Sequence, residues 1–273
     1  MRMANTSIRD VLYEAPGPRA RKQIRIATLI TVVLFALLAV LVIRRFHVSG
    51  QLDAKYWSFF TRLTTWTFLG KGLLGTIEVA AAAGAMAFGA GLLLMLGRIG
   101  KSRILQGISI ALIEFSRGVP TLLFIYFFFL VAPQLGFTLP PFLKISVPVA
   151  ISAAGVVAEV LRSGVNAVPK GQTEAALSLG MRDFSIFFKI VFPQGFRYVL
   201  PALISEIVIV LKDTTFAYVV NYADLMQNAR VLISNYDALL SVYLVAAVIY
   251  ILINYLINKI SVAVAGRMDI KGE

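Results

Sequence analysis

The chain has 273 residues, 59% of them hydrophobic and 15% charged, with a formal net charge of +12 and no cysteine. Soluble domains carry about 45–50% apolar and about 25% charged residues, so this sequence lacks the polar surface to cover a globule in water. A soluble enzyme, a disulfide-stapled secreted domain and a disordered tail are excluded. What remains is an all-α polytopic transmembrane bundle, whose basic balance follows the cytoplasmic excess of Lys and Arg in such chains without any need for nucleic acid.

Taken in chain order, residues 1–25 form a basic segment with six Lys/Arg against Asp10 and Glu14, and Pro16-Gly17-Pro18 breaks any helix there. Residues 26–43 are an uncharged run of 18, roughly 27 Å as a helix, which just crosses a hydrocarbon core of about 30 Å. Arg44-Arg45 follow without a small-residue cleavage pattern, so the run reads as a retained span, not a removed signal peptide. Residues 44–71 are a polar connection whose Tyr56, Trp57 and Trp66 suit a membrane interface. A second span is predicted over 73–96. Its Ala81, Ala85 and Gly89 recur at i+4 and give a smooth face for a close helix contact, either inside the chain or between subunits.

Residues 104–143 are almost uncharged yet too long for one span. We expect 104–116 at the cytoplasmic surface, a break at Gly118-Val119-Pro120, and a third span over 120–135. Pro133, Pro140 and Pro141 mark an outer loop. A fourth span covers 145–165 and a polar stretch runs to about Arg197. The fifth span begins near Tyr198 and is interrupted by Glu206 and Lys212-Asp213; the sixth covers 238–258. About six spans with both termini cytoplasmic place 17 of the 26 Lys/Arg inside, so the expected charge bias is present though modest.

Catalytic chemistry finds little support. His47 is the single histidine and there is no cysteine, so a metal site of the usual His/Cys kind cannot be assembled. Gly100-Lys101-Ser102 resembles the end of a phosphate-binding loop, but Met95 stands where that loop needs its first glycine. ATP hydrolysis by this chain is not expected. Ionisable residues at membrane depth are more informative. Glu78, Glu159, Glu206 and Lys212-Asp213 each cost about 2.5–3.5 kcal/mol at mid-bilayer, so they should face protein or a watery path. Glu159 and Arg162 are i,i+3 neighbours that can neutralise one another, and Glu206 and Asp213 share a face at i,i+7.

The most specific signal lies in the loop 166–193. Pro169 and Gly171 open a short helix, and Gly180 fits the left-handed position that ends one. Ala175 and Ala176 leave that helix thin on one side, with Gln172 and Glu174 as polar flanks. Asp183 is placed to cap a second short helix, 184–192, which ends at Pro193. Such a thin helix between two spans is shaped to enter a cleft on a soluble partner.

Glu174-Ala175-Ala176, Gly180, Ile190 and Phe192-Pro193 stand at the spacing of the coupling loop of ATP-binding-cassette (ABC) importer permeases, with Phe192 where Leu is usual. The polar-amino-acid branch adds Gly72-Leu73-Leu74-Gly75-Thr76, Arg117-Gly118-Val119-Pro120, Ala158-Glu159 with Arg162, Val168 to Met181, and Lys212-Asp213-Thr214. Val156-Val157 and Ser163 depart from the usual Ala-Tyr and Gly. The sequence therefore resembles a type I ABC importer permease over about 71–260, with an extra N-terminal span and a cytoplasmic tail at 261–273. The stretch 13–21 and the extra span look like the second permease of actinobacterial glutamate uptake systems.

That resemblance implies an alternating-access subunit paired with a homologous permease, resting on two ATPase subunits and fed by an extracytoplasmic substrate-binding protein. ATP and Mg would be held by the partner ATPase, with no cofactor in this chain. The ATPase contact would fall on Gln172, Glu174, Ala175, Ala176, Gly180 and Met181. The candidate transport path is Glu159, Arg162, Ser163, Glu206, Lys212, Asp213 and Thr214. The expected place is the plasma membrane of a bacterium, and the cargo a polar amino acid, glutamate first. An ion-coupled secondary transporter using Glu159, Glu206 and Asp213 is the alternative.

Overall fold

A computed structural model describes residues 17–267; the start of the basic segment before Gly17 and the end of the tail after Arg267 lie outside the described residues. The chain divides into two units, one through Trp57 and one from Ser58. Helix α1, Pro18–Val48, makes up most of the first. Pro18 stands in its first turn, where a missing N–H costs nothing, and Gly50 with φ +71 follows its end. None of its residues is buried, and an 18-residue window within it has a mean hydropathy of 3.1. A helix apolar all round over its middle stretch, and unpacked in its own unit, has the character of a lipid-facing span.

The second unit contains helices α2 (Leu63–Ile99), α3 (Arg103–Gly118), α4 (Thr121–Tyr126) and α5 (Pro141–Ala167). After these come α6 (Lys170–Ser178), α7 (Asp183–Ile186), α8 (Phe192–Asp213), α9 (Leu225–Tyr236) and α10 (Leu239–Arg267). There is no strand among the described residues. α1, α2, α5 and α10 are each long and apolar enough to cross a membrane. A fifth crossing is reached if α3 and Thr121–Leu135, bent by 97° at the Gly118–Pro120 break, count as one. The sequence reading expects about six. The difference lies in α8, which carries Arg197, Glu206, Lys212 and Asp213 in 22 residues, and in the bent pair.

Two further boundaries differ from expectation. α2 starts ten residues before Leu73, because its polar first turn satisfies itself. Thr65 Oγ1 donates to the Phe59 carbonyl at 2.7 Å, Trp66 Nε1 to that of Phe60 at 2.7 Å, and Thr67 Oγ1 to that of Thr64 at 2.9 Å. Pro193 does not end a helix either. A π-helical turn, Phe187–Val191, leads directly into α8, and Pro193 sits in that helix's first turn, where proline is tolerated.

The core is built on α5, which packs against α2, α3 and α8. Val79, Ala83 and Ala87 of α2 meet Val149, Ala153 and Val157 of α5 and Val199, Leu203 and Val210 of α8 in one buried cluster. α5 and α8 approach most closely at Gly164 and Gly195, where a Cβ on Gly164 would stand 2.3 Å from the Gly195 carbonyl oxygen. Only glycine lets the two backbones meet there. α9 docks on α2: Asp224 accepts from the Gln227 N–H at 2.7 Å as N-cap, and Asn228 Nδ2 donates to the Phe68 carbonyl at 2.7 Å.

Candidate coupling surface and transport path

The loop between α5 and α8 carries the exposed short helix α6. Val168 is its last extended residue, Pro169 its N-cap, and Gly180 takes φ +74 after it. The Gly180 N–H donates to the Leu177 carbonyl at 2.9 Å and Met181 N–H to that of Ala176 at 3.2 Å, a glycine-closed helix end. A Cβ at a left-handed position is disfavoured by about 1 kcal/mol. Gly180→Ala is therefore expected to lower the melting temperature of the purified chain slightly and to cut coupled transport more, by misdirecting α6. A circular-dichroism melt beside an uptake assay separates the two effects.

The two alanines do not share a face. Ala176 is 2% exposed and turned into its own chain, whereas Ala175 is exposed. An exposed stripe runs from Gln172 and Ala175 of α6 to Leu179 just past its end, at i, i+3 and i+7, with Glu174 exposed beside it and Met181 half-buried; Gln172 Oε1 also accepts from Gln194 Nε2 of α8 at 3.5 Å. Leu179 is 82% and Phe184 73% exposed, so the rim of this polar loop carries large apolar side chains that the sequence reading did not single out. Asp183 is not a cap. Its carboxylate accepts from Lys101 Nζ at 2.6 Å, tying the α7 end to the α2–α3 turn. Each charge steadies the other: the Lys101 ammonium holds the Asp183 carboxyl below its ordinary range, and the carboxylate raises Lys101.

The candidate path residues fall into three groups. At the α6 end of α5, Glu159 is bonded to Arg162 Nη2 at 2.7 Å and also to Arg98 near the end of α2. Ser163 nearby donates to the Val160 carbonyl at 2.7 Å. Arg98 lies in the last turn of α2, and only the packing of α2 on α5 brings it to Glu159. At the other group, Asp213 accepts from Thr121 Oγ1 at 2.8 Å, and Thr121 Oγ1 lies 2.9 Å from Ser152 Oγ, linking α8, α4 and α5. Thr214 is buried with its hydroxyl on the Leu211 carbonyl at 2.7 Å, and Lys212 is exposed. Glu206 stands apart, in an apolar groove between α2 and α8. Glu78 is exposed, 3.5 Å from the Tyr222 hydroxyl.

The Arg98–Glu159–Arg162 cluster ties three charged groups across two helix ends, each side chain about a quarter to a third exposed. Glu159→Gln leaves two guanidiniums sharing a neutral amide. Its partial exposure limits the cost to about 1 kcal/mol. The measurable outcome is a small fall in thermal stability that becomes smaller in an Arg98→Ala background, where only the Arg162 pair is left to lose, as a double-mutant cycle reads it.

An apolar helical bundle with four to five candidate membrane crossings and an exposed short helix on the loop between two packed helices has the build of a membrane transport component. It is not an enzyme. The chain belongs to the family of binding-protein-dependent transport system inner membrane components, whose model matches residues 87–270. It is 34% identical over 227 residues to the glutamate transport system permease protein GluD of Corynebacterium glutamicum, covering 81% of each chain. It is 31% identical to the probable glutamine ABC transporter permease protein GlnP of Bacillus subtilis, over 75% of this chain and 93% of that one. Among solved structures it is similar to a crystal structure of an amino acid ABC transporter with histidines, at TM-score 0.72 and 27% identity, covering 77% of this chain and 98% of that one.

Proposed function

We propose that this chain is the permease subunit of an ATP-driven importer of a polar amino acid, and that the amino acid is glutamate. The observation that carries the reading is the exposed Gln172–Ala175–Leu179 stripe of α6, held between two packed helices of a chain in this family. Its partners are a homologous permease, ATPase subunits that hold ATP and Mg, and an extracytoplasmic substrate-binding protein. Both termini are cytoplasmic, in the plasma membrane of a bacterium. When the ATPases close, their grooves displace α6, and the Gly164–Gly195 contact passes that displacement to α5 and α8 together. The cargo assignment rests on the relatives, whose names specify glutamate and glutamine.

Three features favour this reading over an ion-coupled carrier: Glu159 is neutralised by arginines, Asp213 is bonded to Thr121, and Glu206 lines a separate groove. The test is uptake by proteoliposomes holding the whole complex. ATP-dependent accumulation of labelled glutamate, out-competing glutamine, supports the proposal. Uptake by this chain alone under an ion gradient overturns it, and preference for glutamine overturns the cargo.

A further inference from the structure

A second polar site lies on α9, apart from the candidate path. An open pocket of about 350 Å3 is lined by Tyr218, Asn221, Gln227, Arg230, Val231 and Ser234. Gln227, Arg230 and Ser234 stand at i, i+3 and i+7, on one face of α9. Tyr218 belongs to the 3-10 turn Thr214–Val220, and Asn221 closes that turn in the left-handed region, at φ 53. The turn begins at Thr214, so the pocket borders the segment that prolongs the candidate path beyond α8. With the 22 residues of α8 between it and the α6 loop, the pocket lies at the far end of that helix, the outer end in the functional reading.

Arg230 is exposed and makes no ion pair among the described residues. Its guanidinium carbon sits 4.7 Å from the centre of the Tyr218 ring. A cation held on a π-face keeps its N–H groups for other partners. Gln227 Nε2 donates to Asn221 Oδ1 at 2.7 Å, which orients both amides: Asn221 Nδ2 remains a donor and Gln227 Oε1 an acceptor. No acid lines the pocket. Asp224 is fully buried on the Gln227 N–H, and Asp237 stands past the other end of α9. A guanidinium, an amide N–H and a hydroxyl, with no acid among them to satisfy them, fit a carboxylate. We propose that this pocket binds the side-chain carboxylate of the acidic amino acid before it crosses, with Arg230 as the residue that separates that acid from its amide; this deepens the functional reading above and rests on it. Gln227 Oε1 supplies an acceptor for the ammonium group of the same molecule. A glutamine side chain presents N–H groups of its own to a guanidinium that has no lone pair to accept them, so it is disfavoured there.

The test is binding of L-glutamate and L-glutamine to the purified membrane complex in nanodiscs, without the substrate-binding protein, read by saturation-transfer NMR. Glutamate is expected to bind, and glutamine to bind about tenfold more weakly or less. Arg230→Met is expected to weaken glutamate by about tenfold, to leave glutamine unmoved, and to keep the melting temperature, because the side chain is exposed. Asn221→Asp keeps the bond from Gln227 and tolerates the left-handed backbone, yet sets a carboxylate in the pocket, so it lowers glutamate binding in the same direction. Equal glutamate binding by the wild type and Arg230→Met overturns the proposal. So does a wild-type complex that binds no glutamate, or binds glutamine as well. A carboxylate on the substrate-binding protein is the other source of this chemistry. If Arg230→Met leaves glutamate binding intact and only raises the concentration of that protein needed for half-maximal ATP hydrolysis, the arginine serves docking and the proposal falls. The functional reading fails separately, if the intact complex with its binding protein does not accumulate glutamate.

Discussion

Ala175→Trp leaves the chain in the membrane at normal abundance and removes most substrate-stimulated ATP hydrolysis and uptake by the assembled complex. Ala175 is exposed in its own chain, so the larger ring meets no neighbour during folding, and exposed substitutions of this kind change stability by about 0.5 kcal/mol or less. In the proposed ATPase groove the same ring overfills a contact made by a methyl group. Overpacking of this order costs about 1–3 kcal/mol, enough for a fall of about tenfold or more in coupled turnover. Ala176→Trp is the contrast. Ala176 is 2% exposed, so its replacement disturbs the loop itself and reduces the amount of folded chain before any partner is involved. Membrane content by tag, together with ATPase and uptake rates of the complex, reads both. Normal coupling with Ala175→Trp places the ATPase contact elsewhere.

That contrast was not legible in the sequence, where Ala175 and Ala176 form one thin side. Adjacent helical residues are about 100° apart, and which one turns inward is decided by how α6 packs on α7 and the π-helical turn. Local signals fared better than tertiary ones. Gly180, placed after a short helix, predicts a left-handed turn and takes one, because glycine reaches that conformation without a Cβ penalty. Asp183 had the residue type of a cap but met Lys101, 82 positions away, at 2.6 Å. Glu159 and Arg162 were paired by helical spacing alone; Arg98 joined them through helix packing that no spacing encodes. The early start of α2 was hidden for the same reason. Its threonines look like loop residues until their hydroxyls are seen on nearby carbonyls and Asn228 is seen on Phe68.

Gly164→Leu strongly destabilises the second unit. Glycine here is a packing requirement, since its backbone is ordinary helix. A Cβ on Gly164 meets the Gly195 carbonyl oxygen at 2.3 Å, and one on Gly195 meets the Gly164 carbonyl oxygen at 2.7 Å. Neither obstacle is a side chain that can swing away; both are backbone of helices already fixed by Leu161, Val199 and Leu203 in the buried cluster. A branched side chain must therefore force α5 and α8 apart along that cluster. The cost is at the upper end of the range for overpacked cores, about 3 kcal/mol, a large fraction of the stability of an ordinary domain. Gly164→Ala already meets the 2.3 Å contact and should show the same loss in weaker form. Thermal unfolding in detergent is expected to fall steadily from glycine to alanine to leucine, with protease cleavage appearing in the α6 loop, whose two anchors are the separated helices. An unchanged melting temperature with leucine would mean that α5 and α8 do not cross at these glycines. The transmission of α6 movement into the membrane would then need another route.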